Sequence, residues 1–188
     1  MNRRVLAAAS IAVTATCIVA LPGCEFTRDH PSVRQGEARV HPARDALAAD
    51  IAGRYETQYE SARSIVDEAH LAAAESGLDP LLILAVIGVE SRFEPAARNP
   101  SGAQGLMQIV PKFHLHKLAA HGGANAIVDP VVNIRVGAAI LAEYIALGGS
   151  VEAGLQRYVG SSDDPARGYA RKVLAERARL RTVAARSG

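Results

Sequence analysis

The sequence predicts an all-α fold, a compact helical domain behind a signal peptide and a flexible tether. Long segments rich in Ala, Leu, Val and Ile carry apolar residues at helical spacing, and Gly and Pro stand between these segments. The alternating apolar and polar pattern that is typical of strands is not prominent. Of the 188 residues, 49% are hydrophobic, which is enough for one domain with a core and too few for two ordinary domains.

The charge balance argues against one class of partner. The chain has 21 Lys and Arg against 19 Asp and Glu, so its formal net charge is only +2. Domains that bind nucleic acid usually carry a strong basic surplus on one face. We therefore expect no nucleic-acid partner.

Residues 1–23 predict a lipoprotein signal peptide. Arg3 and Arg4 give a charged start, an uncharged apolar run covers residues 5–20, and "LPGC" ends at Cys24. A permanent transmembrane helix is the alternative, but the run is shorter than the roughly 20 residues that a span needs. "LPGC" resembles the bacterial lipobox, in which the cysteine is acylated and becomes the mature N-terminus.

An acylated Cys24 predicts a protein anchored to a membrane by lipid, on the periplasmic side of a bacterial cell envelope. Residues 24–42 are polar and interrupted by Pro and Gly, which predicts a flexible tether of up to ~60 Å at ~3.3 Å per residue. Cys17 leaves with the signal, so the mature chain keeps one thiol and forms no internal disulfide. Residues 43–188 are the predicted domain.

The predicted domain contains at least five helices, each with a start or stop signal. They are a first helix from Tyr55 that ends at Gly77, a second that begins at Pro80 after Asp79, a third that begins at Pro130 after Asp129 and ends at Gly148, a short helix capped by Ser150 that runs to Tyr158, and an Arg-rich helix from Ala166 to Arg181. The charges of the last helix are expected to face solvent.

The second predicted helix brings a carboxyl group to the end of an apolar segment. Residues 81–89 are apolar on all sides of the helix, which predicts a buried central helix. Glu90 lies at its last turn, where apolar neighbours and the negative end of the helix dipole both raise a carboxyl pKa. A raised pKa suits a general acid. The alternative is a Glu90 that emerges into water or pairs with Arg92 or Arg98, and the helix alone does not decide.

The next segment makes a resemblance specific. Glu90-Ser91, followed fifteen residues later by Gly105-Leu106-Met107-Gln108, resembles the lytic transglycosylases with a goose-lysozyme-like (SLT-type) domain. The motifs of that family are Glu-Ser, Gly-Leu-Met-Gln and Ala-Tyr-Asn. The resemblance extends from about Tyr59 to Arg177. Tyr158 matches the third motif, whereas Val159 stands where the family has Asn, which leaves rate and substrate preference open.

The resemblance implies a catalytic Glu90 and a set of substrate contacts, namely Ser91, Ser101, Met107, Gln108 and Tyr158. Ser91 is expected to orient the carboxyl. Gln108 offers a donor and an acceptor to sugar hydroxyl or acetamido groups, and ordinary core packing is the alternative for Met107. The hydroxyl of Tyr158 is expected to bond Glu90 or line the cleft, the alternative being a half-buried tyrosine with a solvated hydroxyl.

The family implies cleavage of the bond between N-acetylmuramic acid and N-acetylglucosamine in peptidoglycan glycan strands. Glu90 would act first as acid and then as base, and a 1,6-anhydromuramoyl product would form without water. Most glycosidases need two carboxyl groups, and this sequence offers one good candidate, which favours a substrate-assisted route. No cofactor is implied. The histidines at 114, 116 and 121 lack metal-ligand spacing, so no metal site is predicted.

Two other functions remain open from the sequence. A hydrolytic muramidase would use the same fold and Glu90 but admit water, and an additional Asp in the cleft would favour it. A noncatalytic factor that binds peptidoglycan within an envelope-spanning secretion machine is the second, for which Val159 is the argument. Small single-domain members of the family often serve in such machines, so this partner is also possible for an active enzyme.

Overall fold

The computed structural model describes residues 41–160 and 165–187, and in these residues it contains α-helices and no β-strand. The prediction of an all-α fold is confirmed. These residues belong to one unit, residues 39–188. The predicted signal peptide, Cys24 and nearly all of the predicted tether lie outside the described residues.

The described residues form seven α-helices and two short 3-10 helices. In chain order they are α1 (Pro42–Tyr55), α2 (Tyr59–Ser76), α3 (Pro80–Glu90), η1 (Pro111–Phe113), α4 (Leu115–Ala119), η2 (Ala124–Val128), α5 (Pro130–Gly148), α6 (Val151–Tyr158) and α7 (Gly168–Ala185). The largest helix contacts are those of α5 with α6, of α1 with α2, of α3 with α7 and of α2 with α5.

Three predicted helix starts are confirmed by their capping hydrogen bonds. The Asp79 carboxylate accepts a bond of 2.9 Å from the backbone N–H of Leu81 at the start of α3. Asp129 accepts from Val131 at the start of α5, and the Ser150 hydroxyl accepts from the backbone at the start of α6. Such caps satisfy amides that have no partner inside the helix, so the cap residues fix where each helix begins.

Helix α3 is the centre of the core, as its composition predicts. Its seven residues from Leu82 to Gly88 are all buried, and it packs against α7 and α2. Burial of each large apolar side chain stabilises the fold by about 1.5–3 kcal/mol. Val89 and Glu90 are the first residues of its final turn to be partly exposed. The helix therefore delivers Glu90 to the edge of the core.

Helix α5 is the described helix that is long and apolar enough, by length and composition alone, to cross a membrane. It buries seven residues and packs against α6 and α2. A core helix with contacts on several sides acquires the same apolar composition. Packing inside this domain therefore accounts for its sequence.

Helix α1 is absent from the sequence-based prediction, which assigned no element to residues 43–54. It begins at Pro42, buries Leu47, Ala48 and Ile51, and packs against α2 and α7. Most of its apolar residues are alanines, and Leu47 and Ile51 are its only large aliphatic residues, so the apolar periodicity is weak in this segment. Tertiary contacts rather than amphipathic patterning account for its stability.

The arginines of α7 correct a second expectation, since they do not all face solvent. Arg177 donates a hydrogen bond of 2.6 Å to Asp79, the cap of α3. Arg179 donates bonds of 2.7 and 2.8 Å to the carboxylate of Asp50 on α1. These ion pairs tie α7 to α3 and to α1, which the linear sequence does not reveal.

Replacement of Asp79 tests the link between cap and ion pair. Asp79→Ala removes the cap of α3 and the partner of Arg177, so the free energy of unfolding should fall by about 1–3 kcal/mol in urea titrations. Asp79→Asn keeps a capping oxygen and should lose less than Asp79→Ala. Equal stability of Asp79→Ala and the wild type would contradict this assignment.

Candidate active site

Glu90 is half-buried at the last residue of α3, and one hydrogen bond holds its carboxyl group. The hydroxyl of Tyr169 donates to Glu90 Oε1 at 2.6 Å. Burial raises the pKa of Glu90, and the Tyr169 hydrogen bond opposes that rise in part. The raised pKa predicted from the helix position is confirmed. No ion pair to Arg92 or Arg98 forms within the described residues.

Tyr169 lies in the first turn of α7 and was missed by the sequence analysis. Burial, followed by the charge of Glu90 and the hydrogen bond to it, raises the pKa of Tyr169, so the phenol stays protonated and remains a donor. Tyr169 stands four residues before Val173, which is fully buried. That helical spacing is the sequence signal that places Tyr169 on the inner face of α7.

Tyr158, at the end of α6, lines a cavity but does not bond Glu90. Its hydroxyl donates to the carbonyl oxygen of Met107 at 2.8 Å. Burial, with the charge of Glu90 as a second cause, raises the pKa of Tyr158 well above its ordinary value. Its ring meets that of Tyr144 edge-on, with ring centroids 6.4 Å apart. Two roles were expected for Tyr158. It lines the cavity, but the hydrogen bond to Glu90 comes from Tyr169.

Met107 requires a correction, because its side chain lies in the core. It is fully buried, and it packs on Gly137 of α5 so closely that a Cβ atom at position 137 would overlap it. Its backbone N–H donates to Asn133 Oδ1 at 2.8 Å. A side chain enclosed in this way cannot contact a substrate, so Met107 contributes packing, the alternative that its chemistry allowed.

Gln108 holds the loop that follows the Glu-Ser motif. Its backbone is left-handed (φ 48°), and its side-chain Nε2 donates to the carbonyl oxygens of Ala97 at 3.1 Å and Gly105 at 2.9 Å. The side chain also lines the cavity beside Tyr158. The amide donors therefore serve the loop, and the predicted sugar contact rests on the amide oxygen.

Asn133 on α5 is a further residue that the sequence analysis missed. It is fully buried, and its Nδ2 donates to Gln104 O at 2.9 Å and to Ile127 O at 3.0 Å. Gly105 has φ 77°, and a Cβ atom there would overlap the Asn133 amide. Asn133 thus replaces the hydrogen bonds that a regular element would give the loop, which fixes the Gly-Leu-Met-Gln segment against α5.

The two predicted serines lie in different surroundings. Ser91 is buried, and its hydroxyl donates to the carbonyl of Ile87 at 3.1 Å, so the structure does not place that hydroxyl on the Glu90 carboxyl. Ser101 is exposed in the turn at residues 99–102 and does not line the cavity. Neither serine joins the group around Glu90 in this conformation.

A cavity of about 290 Å³ lies beside Tyr158. Among the described residues, its lining carries polar groups of several kinds and no carboxylate, and includes Gln108, His114, Tyr144, Arg157, Tyr158 and Val159. Glu90 is not part of this lining, whereas Tyr158 is, and the charge of Glu90 contributes to the raised pKa of Tyr158. Val159 is 40% exposed and presents an apolar surface where the resembling family has an amide.

Comparison with known proteins matches this arrangement to a family. Residues 68–159 match the family model of the transglycosylase SLT domain. The match covers just under half of the chain and shows that this segment is similar to an SLT domain. The matched segment includes Glu90, the loop held by Asn133, and Tyr158, whereas Tyr169 lies beyond its end. The matched segment therefore receives a hydrogen bond to Glu90 from a helix outside it.

Curated relatives of two kinds are similar to part of this chain. A "Transglycosylase" of Enterobacteria phage PRD1 is 36% identical over 92 residues, which are 49% of this chain and 33% of the relative. "Endo-type membrane-bound lytic murein transglycosylase A" of two Klebsiella pneumoniae strains, ATCC 700721 / MGH 78578 and 342, is 38% identical over 76 residues, 37% of this chain and 37% of the relative. The chain covers about a third of the length of these relatives.

Replacing Glu90 should stabilise the SLT domain at neutral pH. A carboxyl whose folded pKa exceeds its unfolded pKa binds its proton more tightly in the folded state, so the folded state is disfavoured once the pH rises through the folded pKa. Glu90→Gln keeps an acceptor for Tyr169 and removes the charge. Its melting temperature should exceed that of the wild type at about pH 7.5 and approach it below about pH 4. A lower melting temperature at both pH values would contradict the assignment.

Removal of the Tyr169 hydroxyl should raise the pKa of Glu90 further. The hydrogen bond stabilises the charged carboxylate, so Tyr169→Phe withdraws the contribution that lowers the pKa. A ¹³C NMR titration of the Glu90 carboxyl would measure the change. The matched variant Tyr158→Phe deletes a hydroxyl that bonds Met107, and it should move that titration less.

Proposed function

We propose that this chain is a peptidoglycan lytic transglycosylase, which cleaves the bond between N-acetylmuramic acid and N-acetylglucosamine without water. The observation that carries the proposal is the half-buried Glu90 with a raised pKa, whose carboxyl is held by Tyr169 and whose charge contributes to the raised pKa of Tyr158, a residue of the cavity lining. The SLT domain and the printed names of the relatives support the same reaction class.

The first step needs a proton donor. With its pKa raised by burial, Glu90 keeps a larger protonated fraction near neutral pH than an exposed carboxyl does. It donates this proton to the glycosidic oxygen as the bond from that oxygen to the muramoyl anomeric carbon breaks. The oxygen leaves as a hydroxyl of N-acetylglucosamine, and the acetamido oxygen of the muramoyl residue bonds the anomeric carbon in its place.

The second step restores the enzyme. The Glu90 carboxylate takes the proton of the muramoyl C6 hydroxyl, and the C6 oxygen attacks the anomeric carbon and displaces the acetamido oxygen. The product is a 1,6-anhydro ring, and Glu90 is protonated again. No water is consumed, and one carboxyl serves as acid and then as base, as the shifted pKa favours.

Tyr169 has a distinct part in this scheme. Its hydroxyl binds Glu90 Oε1, which leaves Oε2 for the proton that is transferred. Between the two steps the carboxylate is charged, and a donor already in place stabilises that charge without reorganisation. Because the pKa of Tyr169 is itself raised, the phenol does not lose its proton to the carboxylate.

The surroundings of Glu90 favour this one-carboxylate route over a hydrolytic muramidase. In the part of the chain that the structure describes, no acidic neighbour contributes to the pKa of Glu90, and the lining of the cavity contains no Asp or Glu. A retaining or inverting hydrolase needs a second carboxyl about 5–9.5 Å from the first. Asp163 and Asp164 lie outside the described residues, so their replacement tests whether either one serves as a second carboxyl.

We also propose that the protein acts at the cell envelope, anchored through an acylated Cys24. The apolar N-terminal run and "LPGC" support it, as does the phrase "membrane-bound" in the name of one relative. A tether would let the domain reach glycan strands away from the bilayer. The proposal of an envelope-spanning machine as a partner is based on the family resemblance alone.

Digestion of purified sacculi tests the reaction. Residues 25–188 should release anhydromuropeptides, identified by mass, and Glu90→Gln should reduce their rate of release by at least about 100-fold. The variant Asp163→Asn/Asp164→Asn should give the products of the wild type. Products heavier by one water, with reducing ends, would instead establish a muramidase. Binding to sacculi without any product, by wild type and Glu90→Gln alike, would establish a noncatalytic factor.

A further inference from the structure

We propose that Tyr55, the last residue of α1, is a positioning residue that fixes the turn directly after Glu90 and thereby the end of α3. The kinetic consequence rests on the proposed function, whereas the structural consequence does not. Tyr55 lies outside the segment that matches the SLT family model, residues 68–159. Its contacts lie on both sides of Glu90 in the sequence.

The turn after Glu90 has an unusual backbone. Arg92 and Phe93 are consecutive residues other than glycine in the left-handed region, with φ of 55° and 63°. Residues with a side chain rarely adopt this conformation, and it persists where the surrounding structure enforces it. Phe93 is only 1% exposed, so packing of its ring is available to enforce the turn.

Tyr55 provides that packing. Its ring centroid lies 4.8 Å from that of Phe93, and the guanidinium of Arg92 lies 5.6 Å from the Tyr55 ring centroid. A Cβ atom at Gly88 would lie 2.9 Å from the Tyr55 hydroxyl oxygen and 3.3 Å from the Phe93 ring. The absence of a side chain at Gly88 thus lets Tyr55 close onto α3 two residues before Glu90.

Tyr55 is itself held in place from α7. Its hydroxyl donates to Glu176 Oε1 at 2.9 Å, and Arg179 donates to the same oxygen at 2.8 Å. Arg179 also binds Asp50, one turn before Tyr55 on α1. The ring of Tyr55 is therefore fixed by a network that spans two helices rather than by packing alone.

The two tyrosines act on Glu90 in different ways. Tyr169 bonds the carboxyl directly, and Tyr55 contacts the Arg92 and Phe93 side chains of the turn that follows Glu90. Both depend on α7, which supplies Tyr169 itself and Glu176 for Tyr55. An error of about 1 Å in the position of a catalytic group can cost about 100-fold in rate. A loosened turn should therefore lower kcat more than it changes KM.

Three variants of the full mature chain test this role. Tyr55→Leu removes the ring and should lower kcat about tenfold or more, with KM within about twofold of the wild type. Tyr55→Phe keeps the ring on Phe93 and should restore most of that loss. Leu47→Ala truncates a fully buried residue of α1 eight positions before Tyr55, and should lower the melting temperature without lowering kcat at 25 °C.

Either of two kinetic results would overturn the role: wild-type kcat in Tyr55→Leu, or an equal loss of kcat in Leu47→Ala. Gly88→Ala approaches the same contact from α3, since its new methyl group must displace Tyr55 or Phe93. It should lower kcat although alanine favours a helix more than glycine does. Wild-type kcat in Gly88→Ala would likewise contradict the role.

A readout that needs no substrate separates this inference from the proposed reaction. The ¹³C chemical shift of the Glu90 carboxyl reports its hydrogen bond and its surroundings. It should move in Tyr55→Leu, return towards the wild-type value in Tyr55→Phe, and stay unchanged in Leu47→Ala. If the wild type proves inactive but these shifts hold, the reaction fails and the positioning role stands. Unmoved shifts in Tyr55→Leu would overturn the role.

Discussion

The placement of a carboxyl group at the boundary of an apolar helix is the constraint on which the site depends. The buried residues of α3 deliver Glu90 to the rim of the core, where loss of water raises its pKa. Such a group would tend to turn towards solvent unless a donor retained it. The Tyr169 hydroxyl is that donor. Its short hydrogen bond orients the carboxyl and limits the rise of its pKa.

Three glycines allow the close contacts that hold the segments around Glu90 together. Gly88 admits Tyr55, Gly105 admits Asn133, and Gly137 admits Met107. A side chain at any of these positions would separate α3, the Gly-Leu-Met-Gln loop or α5 from its neighbour. Arg92 and Phe93, shortly after Glu90, and Gln108 in the loop all have left-handed backbone conformations although they are not glycines. Local strain of this kind is typical of sites whose geometry is imposed by the rest of the fold.

Contacts between residues close together in the sequence, such as helix caps, could be predicted from the sequence. Hydrogen bonds between distant residues could not. Asp79 caps a helix two residues away, so Asp-Pro was sufficient to place the start of α3. Tyr169 lies 79 residues from Glu90, and Tyr55 lies 121 residues from Glu176, and no periodicity encodes such pairings. Met107 is an error of the other kind, because a predicted contact is not present. The family motif suggested a substrate contact, whereas the side chain is buried in the core against Gly137.

The boundary of the family match and the boundary of the working site are therefore different. The matched residues 68–159 supply the carboxyl and the loop, while α1 and α7 supply the contacts that orient the carboxyl and its turn. The ion pair of Arg179 with Asp50 joins those two outer helices to each other. A fragment limited to the matched segment would keep Glu90 and lose both tyrosines. Its carboxyl would gain water, and burial would no longer set its pKa.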